Sequence, residues 1–202
     1  MKIIKISHKI LNDAVLVLKG GGIVICPTDT VYGFLADAQN KKAVDKIFKI
    51  KKRPKSKPLS VFVKDIKMAK MLAEVSEEQE RTLNKYWPGK YIFILKKNID
   101  VGRIYNLYGV VYKKTIAIRI PKYKFLNDLL KKINKPLAQT SVNISAEPPM
   151  TKIQDIIYKF GNNKYIDLII DGGDLKKALS AQTSKPSKII DLSKGGIKTI
   201  RN

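Results

Sequence analysis

The sequence predicts a single α/β domain over residues 1–202, built as a mixed β-sheet covered by helices. Three observations carry this. Short apolar runs of strand length intermix with segments of helical spacing along the whole chain. No Gly/Ser/Pro-rich linker and no internal repeat divides them, so the elements share one core. With 202 residues, 44% of them hydrophobic, the chain can bury one substantial core.

Each element has a local reason. Met1 to Ile6 alternates as a strand does. Ser7 is placed to cap a helix over 8–19, which Gly20-Gly21-Gly22 ends. The apolar run 22–26 reads as a strand that Pro27 stops, and a Thr-rich turn leads to a short apolar piece through Phe34, Leu35 and Ala36. Asn40 caps a helix whose apolar positions, Ala43, Ile47, Phe48 and Ile50, fall at helical spacing. Residues 59–63 read as a strand and Asp65 opens a short helix. Ser76 with Gln79 is a capping box for another helix, ending near Trp87-Pro88-Gly89. Strands at 91–95 and 115–120 follow, the second closed by Pro121. A helix over 123–133 leads to the apolar Leu137–Ala138 and the Ser141–Asn143 segment. Thr151 with Gln154 forms a second capping-box pattern, for a helix to about Phe160. Strands at 168–170, 189–192 and 197–200 complete the chain.

Composition removes several kinds of chemistry. No apolar run approaches a membrane span, and the N-terminus lacks a signal-peptide pattern, which predicts a soluble cytoplasmic protein. A lone Cys26 allows neither an internal disulfide nor a zinc cluster, and a lone His8 rules out histidine-based triads and metal sites. There is no Walker A motif, and Gly20-Gly21-Gly22 precedes a strand rather than opening a helix. No metal ligand set is predicted. The net charge of +23, with a pI near 10.0, favours polyanions such as nucleotides and nucleic acid. The 35 lysines are spread along the whole chain, as A/T-rich coding also produces. The five arginines, Arg53, Arg81, Arg103, Arg119 and Arg201, therefore say more. Where lysine is the common cation, an arginine suggests a need for a planar two-pronged donor.

The turn Pro27-Thr28-Asp29-Thr30-Val31-Tyr32-Gly33 sets small oxygen-bearing side chains at a strand end, and Lys51-Lys52-Arg53-Pro54 sets cations at the end of the next helix. Together these are parts for holding a small polar substrate beside a phosphate. Pro54 pushes Arg53 out of helical geometry. In an extended segment Lys51 and Arg53 would face the same way and converge on one anion, with Lys57 nearby. A solvated helix end is the alternative. Ser141 and Asn143 share one face at a strand end while Val142 points back, so they offer uncharged polar contacts or simply terminate the strand. Thr151 would cap its helix, and a helix N-terminus also receives anions. Arg119 lies in an otherwise apolar strand and needs an anionic partner, either a ligand or an internal carboxylate. Ser187 precedes a late strand and Arg201 follows the last one; taken singly, both read as surface residues.

Six segments taken in order closely resemble the YrdC-like family of threonylcarbamoyl-AMP synthases. They are Pro27–Gly33, Lys51-Lys52-Arg53-Pro54 with Pro58-Leu59, Trp87-Pro88-Gly89, Arg119-Ile120-Pro121, Thr140-Ser141-Val142-Asn143, and Ser187–Asp191 with Arg201. The resemblance implies a twisted sheet with a concave basic groove in a single-domain member. It implies that L-threonine, bicarbonate or CO2 and ATP give threonylcarbamoyl-AMP and pyrophosphate, with Mg2+ on the phosphates. A partner transferase complex would then pass the group to tRNA. By motif, Thr30, Arg119, Ser141 and Ser187 would surround threonine. Lys51, Arg53, Lys57, Asn143, Thr151 and Arg201 would contact ATP, with Lys51 and Arg53 as the catalytic pair. The groove would also accept tRNA or double-stranded RNA. Three positions depart from the family pattern: Phe62 stands where some members have histidine, Ala146 where glycine is usual, and Lys188 where threonine is usual. Two other functions fit the composition: a related enzyme that activates a carbamoyl group, and a non-catalytic RNA-binding or ribosome-associated factor.

Overall fold

A computed structural model of the chain describes residues 1–178, 185–194 and 196–201. The strands are β1 (Lys2–Lys5), β2 (Val24–Cys26), β3 (Gly33–Asp37), β4 (Ser60–Phe62), β5 (Tyr91–Lys96), β6 (Val111–Tyr112), β7 (Thr115–Arg119), β8 (Leu137–Ser141), β9 (Leu168–Asp171), β10 (Lys188–Asp191) and β11 (Lys198–Arg201). All lie in one mixed sheet, ordered β1-β9-β2-β3-β8-β4-β7-β5-β10-β11, with β6 paired to β7. The helices are α1 (His8–Lys19), α2 (Lys41–Lys51), α3 (Ile66–Leu72), α4 (Glu77–Tyr86), α5 (Val101–Ile104), α6 (Lys124–Ile133), α7 (Ile153–Phe160) and α8 (Leu175–Ala178). The predicted α/β architecture is thus observed. The short pieces α5, β6 and α8 escaped the sequence, being too brief to show a period.

The local stop and start signals act as read. Ser7, Asn40 and Asp65 side chains accept the backbone N–H of Ile10, Ala43 and Met68, and Ser76 with Gln79 makes a reciprocal capping box. The second capping box does not form. Helix α7 starts at Ile153 with Lys152 at its cap position and no side-chain cap bond. Lys152 is held extended by a bridge to Asp174, and the Thr151 carbonyl accepts the Leu175 amide. Those long-range bonds place the start of the helix one residue later than the motif does.

Strand alternation divides the sheet into two faces. Ile25, Phe34, Val61, Phe93, Ile118 and Ala138 point to one side, where α2, α3, α4 and α7 complete the larger core. On the other side, Val24, Cys26, Leu35, Phe62, Leu137 and Leu168 are buried under α1 and α6. These two helices cover only the half of that face centred on β9, β2, β3 and β8. Phe62 of β4 marks the boundary, and over Ser60 of β4 and over β7, β5 and β10 the face stays open. The same alternation that buries Ile116 and Ile118 on β7 therefore presents Ala117 and Arg119 to a cleft.

Candidate active site

The cleft encloses about 260 Å³. Its floor is the uncovered sheet face, and its walls are the Thr28–Gly33 turn, the Arg53–Ser60 segment and the stretch around Ser187 and Arg201. Of the ten candidate residues, the structure brings six to its lining: Thr30, Arg53, Arg119, Ser141, Ser187 and Arg201. Among the described residues that line it are three arginines, no lysine and no carboxylate. Three of the chain's five arginines thus meet at one cleft.

Arg119 organises the floor. Its guanidinium is buried, with 1% of the residue exposed, and stacks over the Phe62 ring at 5.5 Å. Nη2 meets Asp29 Oδ1 at 2.5 Å, Nε donates to the Gly89 carbonyl at 2.8 Å, and Nη1 donates to Thr30 Oγ1 at 3.2 Å and Ser187 Oγ at 2.5 Å. The second Asp29 oxygen accepts the Lys122 amide at 3.1 Å. Burial pushes the guanidinium pKa down while Asp29 opposes the shift. The internal carboxylate that a buried arginine demands is thus Asp29, and Arg119 also remains part of the lining. Phe62, in place of a histidine, supplies a flat support beneath the fork rather than a polar contact.

Lys51 is the least expected residue. It is the last residue of α2, and Lys52 turns left-handed at φ 49° before Arg53 leaves the helix. Lys51 and Arg53 are therefore not an extended pair aimed at one anion, and Lys51 does not line the cleft. Its ammonium, 1% exposed, lies beneath the segment after β8 and donates to Ser141 O at 2.6 Å, Asn143 O at 2.9 Å and Asn143 Oδ1 at 2.7 Å. Desolvation pulls its pKa down to about 7, aided by Arg53 and opposed by Glu147. The three oxygens favour the ammonium, since a neutral amine would turn its lone pair on one of them.

Asn143 is equally committed. Oδ1 also accepts from Ser141 Oγ at 2.7 Å, and Nδ2 donates to Ile144 O at 2.9 Å and Glu147 O at 2.7 Å. Lys51 and Asn143 together tie the loop 143–147 in place. In that loop Ala146 keeps a positive φ of 73°, the backbone shape that glycine adopts without strain. Ala146 thus holds the conformation expected of the glycine in whose place it stands.

Arg53 and Arg201 bond to the cleft's own backbone. Arg53 donates through Nε to Lys57 O at 2.7 Å and through Nη2 to Pro58 O at 2.9 Å, so Lys57 enters through its carbonyl while its side chain is exposed. Arg201, on the edge strand β11, donates twice to Ser187 O, at 3.0 and 2.6 Å. Lys188 opens β10 with an exposed side chain. Thr151 lies outside the lining. Sequence reading missed Asp29 as a partner and the Ser60–Gln139 pair on the floor, where Gln139 Nε2 donates to Ser60 Oγ. It also missed Tyr32, whose hydroxyl donates to Gly173 O and accepts the Gly172 amide, each at 2.9 Å. Gly172 leaves no room for a side chain there, because a Cβ would stand 2.8 Å from Pro27. The period-two spacing of Gln139 and Ser141 was the one available hint.

Known proteins resemble this chain in sequence and in fold. Residues 16–202 match the Sua5–YciO–YrdC family profile, whose description reads telomere recombination. A Methanocaldococcus jannaschii protein provisionally named threonylcarbamoyl-AMP synthase is 36% identical, over 99% of this chain and 92% of its own length. The Bacillus subtilis threonylcarbamoyl-AMP synthase is 34% identical over 81% of this chain but only 46% of its own length. The crystal structure of Pyrococcus abyssi Sua5 complexed with L-threonine superposes with a TM-score of 0.84 at 29% identity, covering 100% of this chain and 57% of that one. This chain thus spans about half of the longer relatives. The profile match and the near-full-length relative place this protein in the Sua5–YciO–YrdC family.

Proposed function

We propose that the protein makes threonylcarbamoyl-AMP from L-threonine, bicarbonate or CO2 and ATP, releasing pyrophosphate, as the first step of threonylcarbamoyl-adenosine formation in tRNA. The observation that carries this is the Arg119 fork, held at the cleft floor between the hydroxyls of Thr30 and Ser187. Beyond the N–H that meets Asp29, Nη2 carries a second one, and three arginines line the cleft, which suits a small carboxylate; the relatives' shared name supplies the amino acid.

Thr30, Arg119, Ser141 and Ser187 enclose threonine. Arg53 and Arg201, with Lys57 at the rim, meet the phosphates of ATP, while Lys51, Asn143 and Thr151 serve the nucleotide by shaping the segment after β8. The threonine amine captures CO2 as a carbamate. A carbamate oxygen then attacks the α-phosphorus and pyrophosphate leaves. Both reactants are anionic, so the protein's work is positioning and neutralisation of charge. No protein nucleophile takes part, and burial raises the Cys26 thiol pKa far from reactivity. Both Asp29 oxygens are engaged and no carboxylate lines the cleft among the described residues, so only neutral side-chain oxygens face a divalent cation there. Mg2+ therefore enters as part of the ATP substrate.

Residues 1–202 act as one domain in the cytoplasm, and a transferase complex consumes the product. Nucleic acid, tRNA or double-stranded RNA, is a further partner that the +23 charge supports. The purified protein with MgATP is expected to release pyrophosphate only when L-threonine and bicarbonate are both present. Release without that dependence sinks the proposal.

A further inference from the structure

The protons of the cleft hydroxyls run in a fixed direction. A threonine hydroxyl has one proton to give and two lone pairs to fill. Thr28 Oγ1 gives its proton to the Val31 carbonyl at 2.7 Å and accepts the Thr30 amide at 3.0 Å. The 3.0 Å contact between the Thr28 and Thr30 hydroxyls must then run from Thr30 to Thr28. That spends the Thr30 proton. Arg119 Nη1 fills one of its lone pairs, and one remains on a hydroxyl that lines the cleft.

Ser141 reaches the same condition by another route. It gives its proton to Asn143 Oδ1, whose identity as oxygen is fixed by the donor-only ammonium of Lys51 beside it. Ser141 also lines the cleft. Two hydroxyls on one cleft are thus presented as acceptors. An amine carries at least two N–H donors and can satisfy both; a hydroxyl in its place carries one and leaves an acceptor unpaired.

We infer that Thr28 is a positioning residue which makes Thr30 a hydrogen-bond acceptor, so that Thr30 and Ser141 together select a substrate amine over a hydroxyl. The inference rests on threonine being the substrate, and it assigns a role to a side chain that need not touch it. Thr28→Val keeps the shape, removes the acceptor for the Thr30 proton and frees Thr30 to donate outward.

The test is calorimetric binding of L-threonine and of the dihydroxybutanoate in which a hydroxyl replaces its amine. It uses the wild type, Thr28→Val and Thr28→Ser, without ATP. The wild type is expected to favour threonine by about tenfold or more. Thr28→Val is expected to narrow that ratio by about fivefold, and Thr28→Ser to restore it. If Thr28→Val does not fold, Thr28→Ala is measured in the same way. Equal weakening of both ligands in the variant overturns the inference, as does a serine variant that behaves like valine. A wild type that binds threonine without preferring it also overturns the inference and leaves the proposed function standing. A wild type that binds neither ligand overturns both.

Discussion

The Lys51 ammonium and the Asn143 carboxamide oxygen lie 2.7 Å apart beneath the cleft, ninety-two residues distant in sequence. The family resemblance implied that both would contact ATP. In the folded protein each spends its hydrogen-bonding capacity on the other and on the loop 143–147. The pair braces the end of β8, whose Ser141 lines the site.

Lys51→Met strips the donor from three oxygens, those of Ser141, Asn143 and the Asn143 side chain. The expected cost is about 3 kcal/mol in urea unfolding, with faster hydrogen exchange at the Ser145 amide, which is bonded to the Lys51 carbonyl. Lys51→Arg should not rescue it, because a planar fork cannot address three converging acceptors. Unchanged exchange in the Met variant would contradict this role.

The same lysine makes stability depend on pH. In the unfolded chain its amine titrates near 10.5, and in the native protein near 7. Between those values the unfolded chain binds more protons, so the Lys51 contribution to stability rises with pH across that window. Below it both forms carry the charge and the burial cost is fully present. Urea midpoints of the wild type and Lys51→Met, compared at about pH 6.5 and 9.5, should shift in favour of the wild type at the higher pH. A gap that shrinks or stays constant would show that the ammonium is not depressed.

Asp29→Asn leaves the Arg119 guanidinium buried without its carboxylate. A loss of about 3 kcal/mol or more in stability is expected, together with a raised KM for threonine as the fork loses its anchor. Arg119→Met with Asp29→Asn should cost less stability than the single change predicts by addition, which a double-mutant cycle measures.

Arg53→Ala should abolish pyrophosphate release while the domain stays folded. The fork is half-buried and its two bonds go to carbonyls of its own loop, so the stability loss should be about 1–2 kcal/mol by thermal unfolding. Retained turnover would mean the residue has been misassigned.

Ala146→Gly should stabilise the protein by about 0.5–1 kcal/mol. The relief of a left-handed alanine at φ 73° outweighs the greater freedom of glycine in the unfolded chain. Chemical denaturation reads this directly, and a destabilised variant would refute it.

The local features were legible because their causes are local. Ser7, Asn40, Asp65 and Ser76 cap their helices through bonds spanning three residues, and strand alternation separates Ile118 from Arg119 without knowledge of the fold. Features governed by distant contacts were not legible. The start of α7 is set by the Lys152–Asp174 bridge, and the direction of Lys51 by a left-handed Lys52 and the carbonyls after β8. Asp29 sat in plain sight within the motif, but nothing nearby in sequence announces that its partner lies ninety residues on. The arginines pointed to the cleft that three of them line, because a rare planar cation in a lysine-rich chain marks a geometric need.

The half-covered sheet has a consequence for any survey of variants. Along β7 the residues at 116 and 118 face the larger core, and those at 117 and 119 face the cleft. A deep mutational scan that records cellular abundance and catalytic output separately should therefore show the two readouts alternating residue by residue on this strand. Damage to abundance should peak at Ile116 and Ile118. Damage to output at normal abundance should peak at Ala117, where a larger side chain would fill the cleft and leave the fold intact.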